Sequence, residues 1–382
     1  MKEFSFSTRI FFGEGSLERL QNVANKRVMI VTDAFMLQSG TVDRVASHLK
    51  DCEITVFSDV VPDPPIEVVA AGVQYFQACE PEVMIAVGGG SVIDAAKAIR
   101  AVAGRVCDTV DAGIMECFAI PTTSGTGSEV TEYAVVTDAA KGLKYPLASQ
   151  ELRPMSAILD PSLVVSAPPS VTADSGMDVL THALEAYVST GANDFSDALA
   201  EKAISLVMKW LPVAYEDGND LLAREKMHNA SCMAGLAFNS AGLGLCHGIA
   251  HAIGGKLHIP HGRTNAIVLP YILRYNADLE HARGNYSLAA KKYQRLAKIL
   301  DLPCSSVTVG FSQFLKVVEK LNKSLKIPTS LKKGGYDMVL YKKEKEAIIE
   351  AALADVTTTT NPRQPSSVDI ERLLKQIGEG VW

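Results

Sequence analysis

No run of basic residues interrupts this 382-residue sequence, and its formal net charge is −6. A nucleic-acid partner is therefore not expected. No apolar stretch approaches the roughly 20 uninterrupted residues of a membrane-spanning helix, so no membrane partner is expected either. Seven cysteines are scattered without one C-x-x-C pair, which predicts reduced thiols rather than a disulfide framework. The segment from Met1 to Ser7 lacks the apolar core of a signal peptide, and a cytoplasmic protein is expected. Internal repeats and low-complexity tracts are absent as well. What remains, 47% hydrophobic and 21% charged residues, is the composition of an ordinary globular chain with ample core. The length suggests two domains.

Histidine is scarce too, and its placement is uneven. Six of the eight histidines fall between His182 and His261. Asp178 and His182 are four apart, so on a helix both project from one face. His247 and His251 repeat that spacing, and His261 follows a bend predicted at His258 to Pro260. Imidazoles and a carboxylate form a borderline donor set suited to Fe(II), Zn(II), Co(II) or Mn(II), whereas calcium and magnesium would want more oxygens. Glycines 242, 244, 248, 254 and 255 flank the cluster. Spacing nominates His247 and His251 as the second ligand pair and leaves open whether His251 or His261 is the better ligand. His48, His228 and His281 read as helix-surface residues, and Cys246 as a small packed hydrophobe.

The first half alternates short β-branched runs with amphipathic helical patterns. Strands are predicted at residues 27–33, 53–58, 83–87 and 117–121, helices at 41–49 and 67–79. Runs apolar on both faces indicate a buried parallel sheet, and the β-α-β-α order predicts a doubly wound α/β domain. After Pro168 and Pro169 the pattern turns helical, with helices predicted at 180–188, 196–211, 223–238, 285–300, 307–321 and 343–353. The predicted domains are an α/β dinucleotide-binding half, residues 1–170, and an all-α half, residues 171–382.

Three segments of the first half suit a nucleotide. Gly88, Gly89, Gly90 and Ser91 lie between a predicted strand and a predicted helix, where glycines admit phosphate oxygens to the helix N-terminus. This is not a G-x-G-x-x-G fingerprint. Residues 121–129 follow another short strand, and the hydroxyls of Thr122, Thr123, Thr126 and Ser128 are candidate partners of a diphosphate or ribose. Asp33 ends the first strong strand, where a carboxylate accepts from ribose hydroxyls and repels a 2′-phosphate, favouring NAD over NADP. A helix N-cap is the plainer role for it.

Taken together these residues resemble the iron-containing alcohol dehydrogenase family. The motifs run nearly end to end: residues 12–15, 31–33, 62–64, Gly88–Ser91 with Asp94 and Lys97, 121–129, Asp178 to His182, His247 to His261, and 361–363. The resemblance implies an N-terminal α/β dinucleotide-binding domain, an all-α C-terminal domain, and a homo-oligomer, dimer or larger. It implies Asp178, His182, His247 and His261 as metal ligands, with His251 as a proton relay beside substrate and nicotinamide. Phe238 matches a substrate-pocket position, and Lys144 matches a residue that contacts the cofactor. The chain departs from the family's Pro-Asn-Pro turn in having Asp63, which adds a second carboxylate near the cofactor's edge.

The function so implied is NAD(H)-dependent, metal-dependent interconversion of a small aldehyde and its primary alcohol. Fe2+ is the expected ion and Zn2+ the alternative. The N-terminal half looks most like propanol- and ethanolamine-pathway alcohol dehydrogenases, with lactaldehyde and sulfoacetaldehyde reductases also close. Encapsulation with other pathway enzymes would fit that setting, though no tag for it is visible. The competing enzyme is a zinc-dependent polyol dehydrogenase of the glycerol type. A dehydroquinate synthase-type lyase is disfavoured by the lack of a basic cluster for a phosphorylated, carboxylated substrate. A scaffold that had lost its chemistry would show damaged ligand positions, and none is damaged.

Overall fold

The computed structural model describes residues 4–106, 115–139 and 143–380. They fall into two compact units, Met1–Ala167 with Asn219–Gly235, and Pro168–Gly218 with Leu236–Trp382.

The first unit holds eight strands among the described residues: β1 (Arg9–Phe12), β2 (Arg27–Asp33), β3 (Glu53–Val60), β4 (Val83–Gly88), β5 (Glu116–Pro121), β6 (Tyr133–Asp138), β7 (Leu143–Ala148) and β8 (Ser156–Leu159). Six form one parallel sheet in the order β1-β8-β5-β4-β2-β3. Its helices are α1 (Ala34–Gln38), α2 (Thr41–Ala46), α3 (Ile66–Cys79) and α4 (Gly90–Val106). Alternate residues of the central strands feed two separate cores. Met29, Val31, Met84 and Ala86 pack with the buried faces of α3 and α4. Val28, Ile30, Ile85 and Val87 pack with Leu17, Leu20, Val42 and Val45. A strand buried on both faces has no polar positions to spare, which is why these runs read as continuously apolar.

Strand β4 lies between β2 and β5, so chain order reverses beside it. In open α/β sheets the carboxyl ends at such a switch point form the ligand crevice. The remaining pair, β6 and β7, is an antiparallel hairpin. The short strands β1, at the sheet edge, and β8, beside it, were not predicted from the sequence, nor was this hairpin.

The second unit is helical: α5 (Pro169–Val188), α6 (Asp194–Glu216), α8 (Leu245–Leu257), α9 (His261–Ala277), α10 (Leu288–Ile299), α11 (Val307–Ser324), α12 (Met338–Lys343), α13 (Lys345–Ala354) and α14 (Ser367–Glu379). Helix α5 is its centre, packed against α6 and α9, while α8 packs against α9 and α13. Every residue of α5 from Gly176 to Val188 is buried. A helix apolar on all sides belongs in a core, and polar groups carried into it cost free energy unless they find partners.

The division between Ala167 and Pro168 lies close to the predicted cut between residues 170 and 171, and one later segment returns to the first unit. Helix α7 (Leu221–Ala241) belongs with the α/β unit as far as Gly235. Arg224 donates to the Ala167 carbonyl at 3.1 Å. A Cβ on Gly235 would lie 2.9 Å from the Cα of Gly127, so the helix and the 121–129 loop meet backbone to backbone. Helical periodicity reports a buried face but not which unit buries it. Among the described residues, no single helix is long and apolar enough to cross a membrane.

Candidate metal centre and nucleotide-binding edge

Helix α5 contributes Asp178 and His182 to one face, buried at the heart of the second unit. Helix α8 supplies His247 from its first turn. His258 then takes a left-handed conformation, φ 53°, as the C-cap of α8, and Pro260 is the N-cap of α9. The predicted bend is thus present, and it places His261 on the opening turn of α9. One ligand atom from each of Asp178, His182, His247 and His261 lies within 4.8 Å of every other.

The geometry within that group is specific. His261 Nε2 is 3.3 Å from Asp178 Oδ1, His247 Nε2 is 3.9 Å from the same oxygen, and His182 Nε2 is 4.0 Å from Oδ2. Three imidazoles therefore aim the same ring nitrogen at one carboxylate. Burial, and then the neighbouring His182, His261 and His251, hold His247 well below the usual imidazole range. It is neutral at pH 7 and offers a lone pair. His247 Nε2 is buried and has no hydrogen-bond partner, as expected of an atom shaped to meet a cation. A carboxylate and three imidazoles are a donor set that divalent first-row metals accept.

His251 stands beside this group. Its ring stacks on His261 with centroids 5.1 Å apart, and its Nδ1 lies 2.8 Å from Asp355 Oδ2. Burial raises the Asp355 carboxyl, but the hydrogen bond and charge of His251 outweigh it and bring it down to about 2. The His251 side chain is 41% exposed. Half-buried Phe238 lays its ring against His182, centroids 4.7 Å apart. His258 is exposed and outside the group. Arg263 ion-pairs with Asp174 at 2.5 Å, the ordinary fate of an arginine. Cys246 is fully buried, its thiol 3.6 Å from the Asn265 carbonyl oxygen.

Sequence reasoning passed over the residues around the ligands. Glu185, on α5, has Oε2 at 2.5 Å from His247 Nδ1, and its Oε1 accepts the Cys246 amide at 2.6 Å. Burial pushes its carboxyl up to about 8, against the pull of the Cys246, Gly244 and His247 amides. Asn265, on α9, donates to Asp178 Oδ1 at 2.8 Å and lies 3.1 Å from His261 Nε2. Both were within reach of a spacing argument. Glu185 falls seven residues after Asp178, and Asn265 four after His261, each on the ligand's own face.

In the first unit the three nucleotide segments meet at the carboxyl edge of the sheet. Gly88 ends β4 and is paired in register with Pro121 of β5, and the Thr122 amide donates to the Gly88 carbonyl at 3.0 Å. Asp33 ends the neighbouring β2 and is the N-cap of α1, accepting from the Met36 amide at 2.9 Å. The 121–129 loop packs on the glycine turn, since a Cβ on Gly90 would lie 2.6 Å from the Thr126 methyl. A Cβ on Gly89 would meet only Thr123, at an ordinary 3.6 Å. Lys144 bonds Asp63 at 2.6 Å, and the Asp63 amide donates to Ser91 Oγ at 3.3 Å.

Asp94 and Ser128 are bonded to each other beside the glycine turn. Ser128 donates to Asp94 Oδ1 at 2.6 Å, and the Val135 amide to Oδ2 at 3.0 Å. Lys97, fully enclosed, donates to Ser128, Thr131 and the Tyr133 carbonyl. Burial lowers its ammonium to about 8 despite the favourable charges of Asp94 and Glu129. His228 also departs from expectation. It is 1% exposed rather than on a helix surface, with Nδ1 3.0 Å from Ser124 Oγ, and burial lowers it to about 4. It props the 121–129 loop from α7.

A switch-point sheet and a carboxylate–imidazole cluster are features that a nucleotide- and metal-dependent enzyme requires, and comparison with known proteins fixes the class. Residues 7–161 match the family described as iron-containing alcohol dehydrogenase, and residues 172–378 match the Fe-containing alcohol dehydrogenase family, C-terminal. The chain belongs to the iron-containing alcohol dehydrogenase family. It is 46% identical over 385 residues to the 1-propanol dehydrogenase PduQ of Salmonella typhimurium, covering 99% of this chain and 100% of that one. The structure of the iron-containing alcohol dehydrogenase of Thermococcus thioreducens superposes with a TM-score of 0.87 at 32% identity, over 99% of this chain and 100% of that one. Sulfoacetaldehyde reductase of Bifidobacterium kashiwanohense, solved in complex with NAD+, gives a TM-score of 0.85 at 27% identity, with 100% of both chains covered.

Proposed function

We propose that this alcohol dehydrogenase interconverts a small aldehyde and its primary alcohol, with NAD(H) as hydride carrier and Fe(II) held by Asp178, His182, His247 and His261. The observation that carries the reading is the convergence of three imidazole Nε2 atoms on the buried Asp178 carboxylate. Such a bound cation supplies Lewis acidity at a carbonyl oxygen, and the nicotinamide supplies or accepts the hydride.

The chain's own residues do the rest. Phe238 offers an apolar wall beside His182, suited to a short carbon chain. Asp355 accepts from the Nδ1–H of His251, leaving His251 Nε2 to carry a proton between solvent and the alcohol oxygen. At the sheet edge, the glycine turn and the first amides of α4 suit a diphosphate. Thr122, Thr123 and Thr126 line the adjoining loop, with Asp33 assigned to the adenosine ribose and the Asp63–Lys144 pair to the cofactor's rim. Two carboxylates there favour NAD over its 2′-phosphorylated form. The ionic engagement of Arg263 by Asp174 favours uncharged aldehydes over an anionic one such as sulfoacetaldehyde.

The test is NADH oxidation under anaerobic conditions with Fe(II)-loaded and metal-stripped protein on propionaldehyde, acetaldehyde, lactaldehyde and sulfoacetaldehyde. Turnover that requires the metal, highest in kcat/KM on an uncharged short aldehyde, is the expected result. No turnover on any of them with metal and NADH bound would move the substrate to the polyols.

A further inference from the structure

Glu185 is 3% exposed, and both its oxygens face α8. Oε1 takes the Cys246 amide and Oε2 meets His247 Nδ1. The approach depends on Gly244, where a Cβ would lie 2.8 Å from Glu185 Oε1 and 2.8 Å from Asn361 Oδ1. Asn361 Oδ1 takes the neighbouring Leu245 amide at 3.1 Å. Helix α8 has no side-chain cap of its own, so Glu185 and Asn361 cap it from other parts of the unit and fix the turn that carries His247.

The two nitrogens of that ring are unlike. Nδ1 has a short contact to a carboxylate, while Nε2 is buried, has no partner and faces the ligand group. A neutral imidazole carries one proton, and whichever nitrogen holds it cannot bind a metal. We infer that Glu185, in its carboxylate form, is a positioning residue that holds the proton of His247 on Nδ1, so that Nε2 is a ready metal donor in a ring whose orientation is set before any ion arrives. The inference rests on the metal reading above.

Glutamine cannot substitute for this carboxylate. If its amide oxygen accepts from Cys246, its NH2 faces Nδ1 and drives the proton to Nε2. If it turns around, its NH2 opposes the Cys246 amide. Glu185→Asp keeps both acceptors on a stem one methylene shorter. Gly244→Ala leaves the carboxylate in the sequence but displaces Oε1.

The experiment measures Zn(II) affinity of the full chain by chelator competition, with the visible spectrum of the Co(II) form as a second readout. Glu185→Gln should weaken binding by about 10- to 100-fold and alter the cobalt spectrum, with circular dichroism and NADH binding retained. Gly244→Ala should weaken it in the same direction, and Glu185→Asp should recover part of what Gln loses. Unaltered affinity and spectrum in Glu185→Gln would overturn the inference while leaving the metal site in place. Failure of the unmutated protein to bind Zn(II) or Co(II) would instead remove the metal reading itself. One measurement needs no variant to fold: at pH 9, above the value of about 8 to which burial lifts the Glu185 carboxyl, 15N-histidine NMR of the metal-free, unmutated protein should find His247 protonated at Nδ1. Protonation at Nε2 would overturn the inference.

Discussion

His251 Nδ1 and Asp355 Oδ2 lie 2.8 Å apart, joining residues 104 positions distant in sequence. The carboxylate is itself fixed, because Oδ1 accepts from both the amide and the hydroxyl of Thr357. This clamp chooses the His251 tautomer and leaves Nε2 without the proton. Asp355→Asn can present an NH2 to Nδ1 and reverse that choice, so kcat should fall by about 10- to 100-fold at unchanged metal content. Steady-state kinetics alongside elemental analysis decide it, and an unchanged kcat would remove the clamp from the chemistry.

The two exposed histidines should separate cleanly. His261 and His251 are similarly accessible, at 42% and 41%, yet only His261 aims a nitrogen at Asp178. His261→Ala should lose bound metal and, with it, activity. His251→Ala should keep its metal and slow turnover. Metal retained in full by an active His261→Ala would overturn the ligand assignment.

Much of this was legible because the polar residues sit where burial forbids them. Asp178 and His182 lie in a stretch of α5 that is buried throughout from Gly176 to Val188, where polar groups cost free energy unless they find partners. The sheet core was legible for the complementary reason: β2 and β4 carry apolar side chains on both faces. The burial of His228 was not legible, because it depends on the 121–129 loop lying over α7. Nor was the pairing of His251 with Asp355, a contact between helix and distant loop that no local spacing encodes. Four-residue spacing proposed His247 and His251 as equals, but the partners brought by α5 and by Asp355 distinguish them.

Glu129 gives the first unit a pH dependence with a definite sign. Burial lifts its carboxyl from 4.5 to about 7, with Lys97 pulling the other way. The folded state therefore binds this proton more tightly than the unfolded chain, and the stabilisation is lost as pH rises from about 4.5 through about 7. The shift corresponds to roughly 3 kcal/mol at most. Glu129→Gln removes that dependence. The variant's melting temperature relative to wild type should therefore rise between pH 5 and pH 8. A constant offset across that range, measured by calorimetry, would mean that Glu129 titrates normally.

Asp33 allows charge and capping to be separated in one substitution. Its Oδ1 accepts the Met36 amide at the start of α1, and asparagine caps a helix about as well as aspartate. Asp33→Asn should therefore leave the melting temperature near that of wild type while removing the negative charge assigned to the ribose. If that charge is what excludes a 2′-phosphate, the ratio of kcat/KM for NADH to that for NADPH should fall by about tenfold or more, which is about 1.4 kcal/mol of lost discrimination. Asp63 is held by Lys144, so its charge is already partly neutralised, and Asp63→Asn should move the ratio less. Unaltered cofactor preference in Asp33→Asn, at unaltered stability, would reduce Asp33 to a helix cap and place the selection elsewhere along the sheet edge.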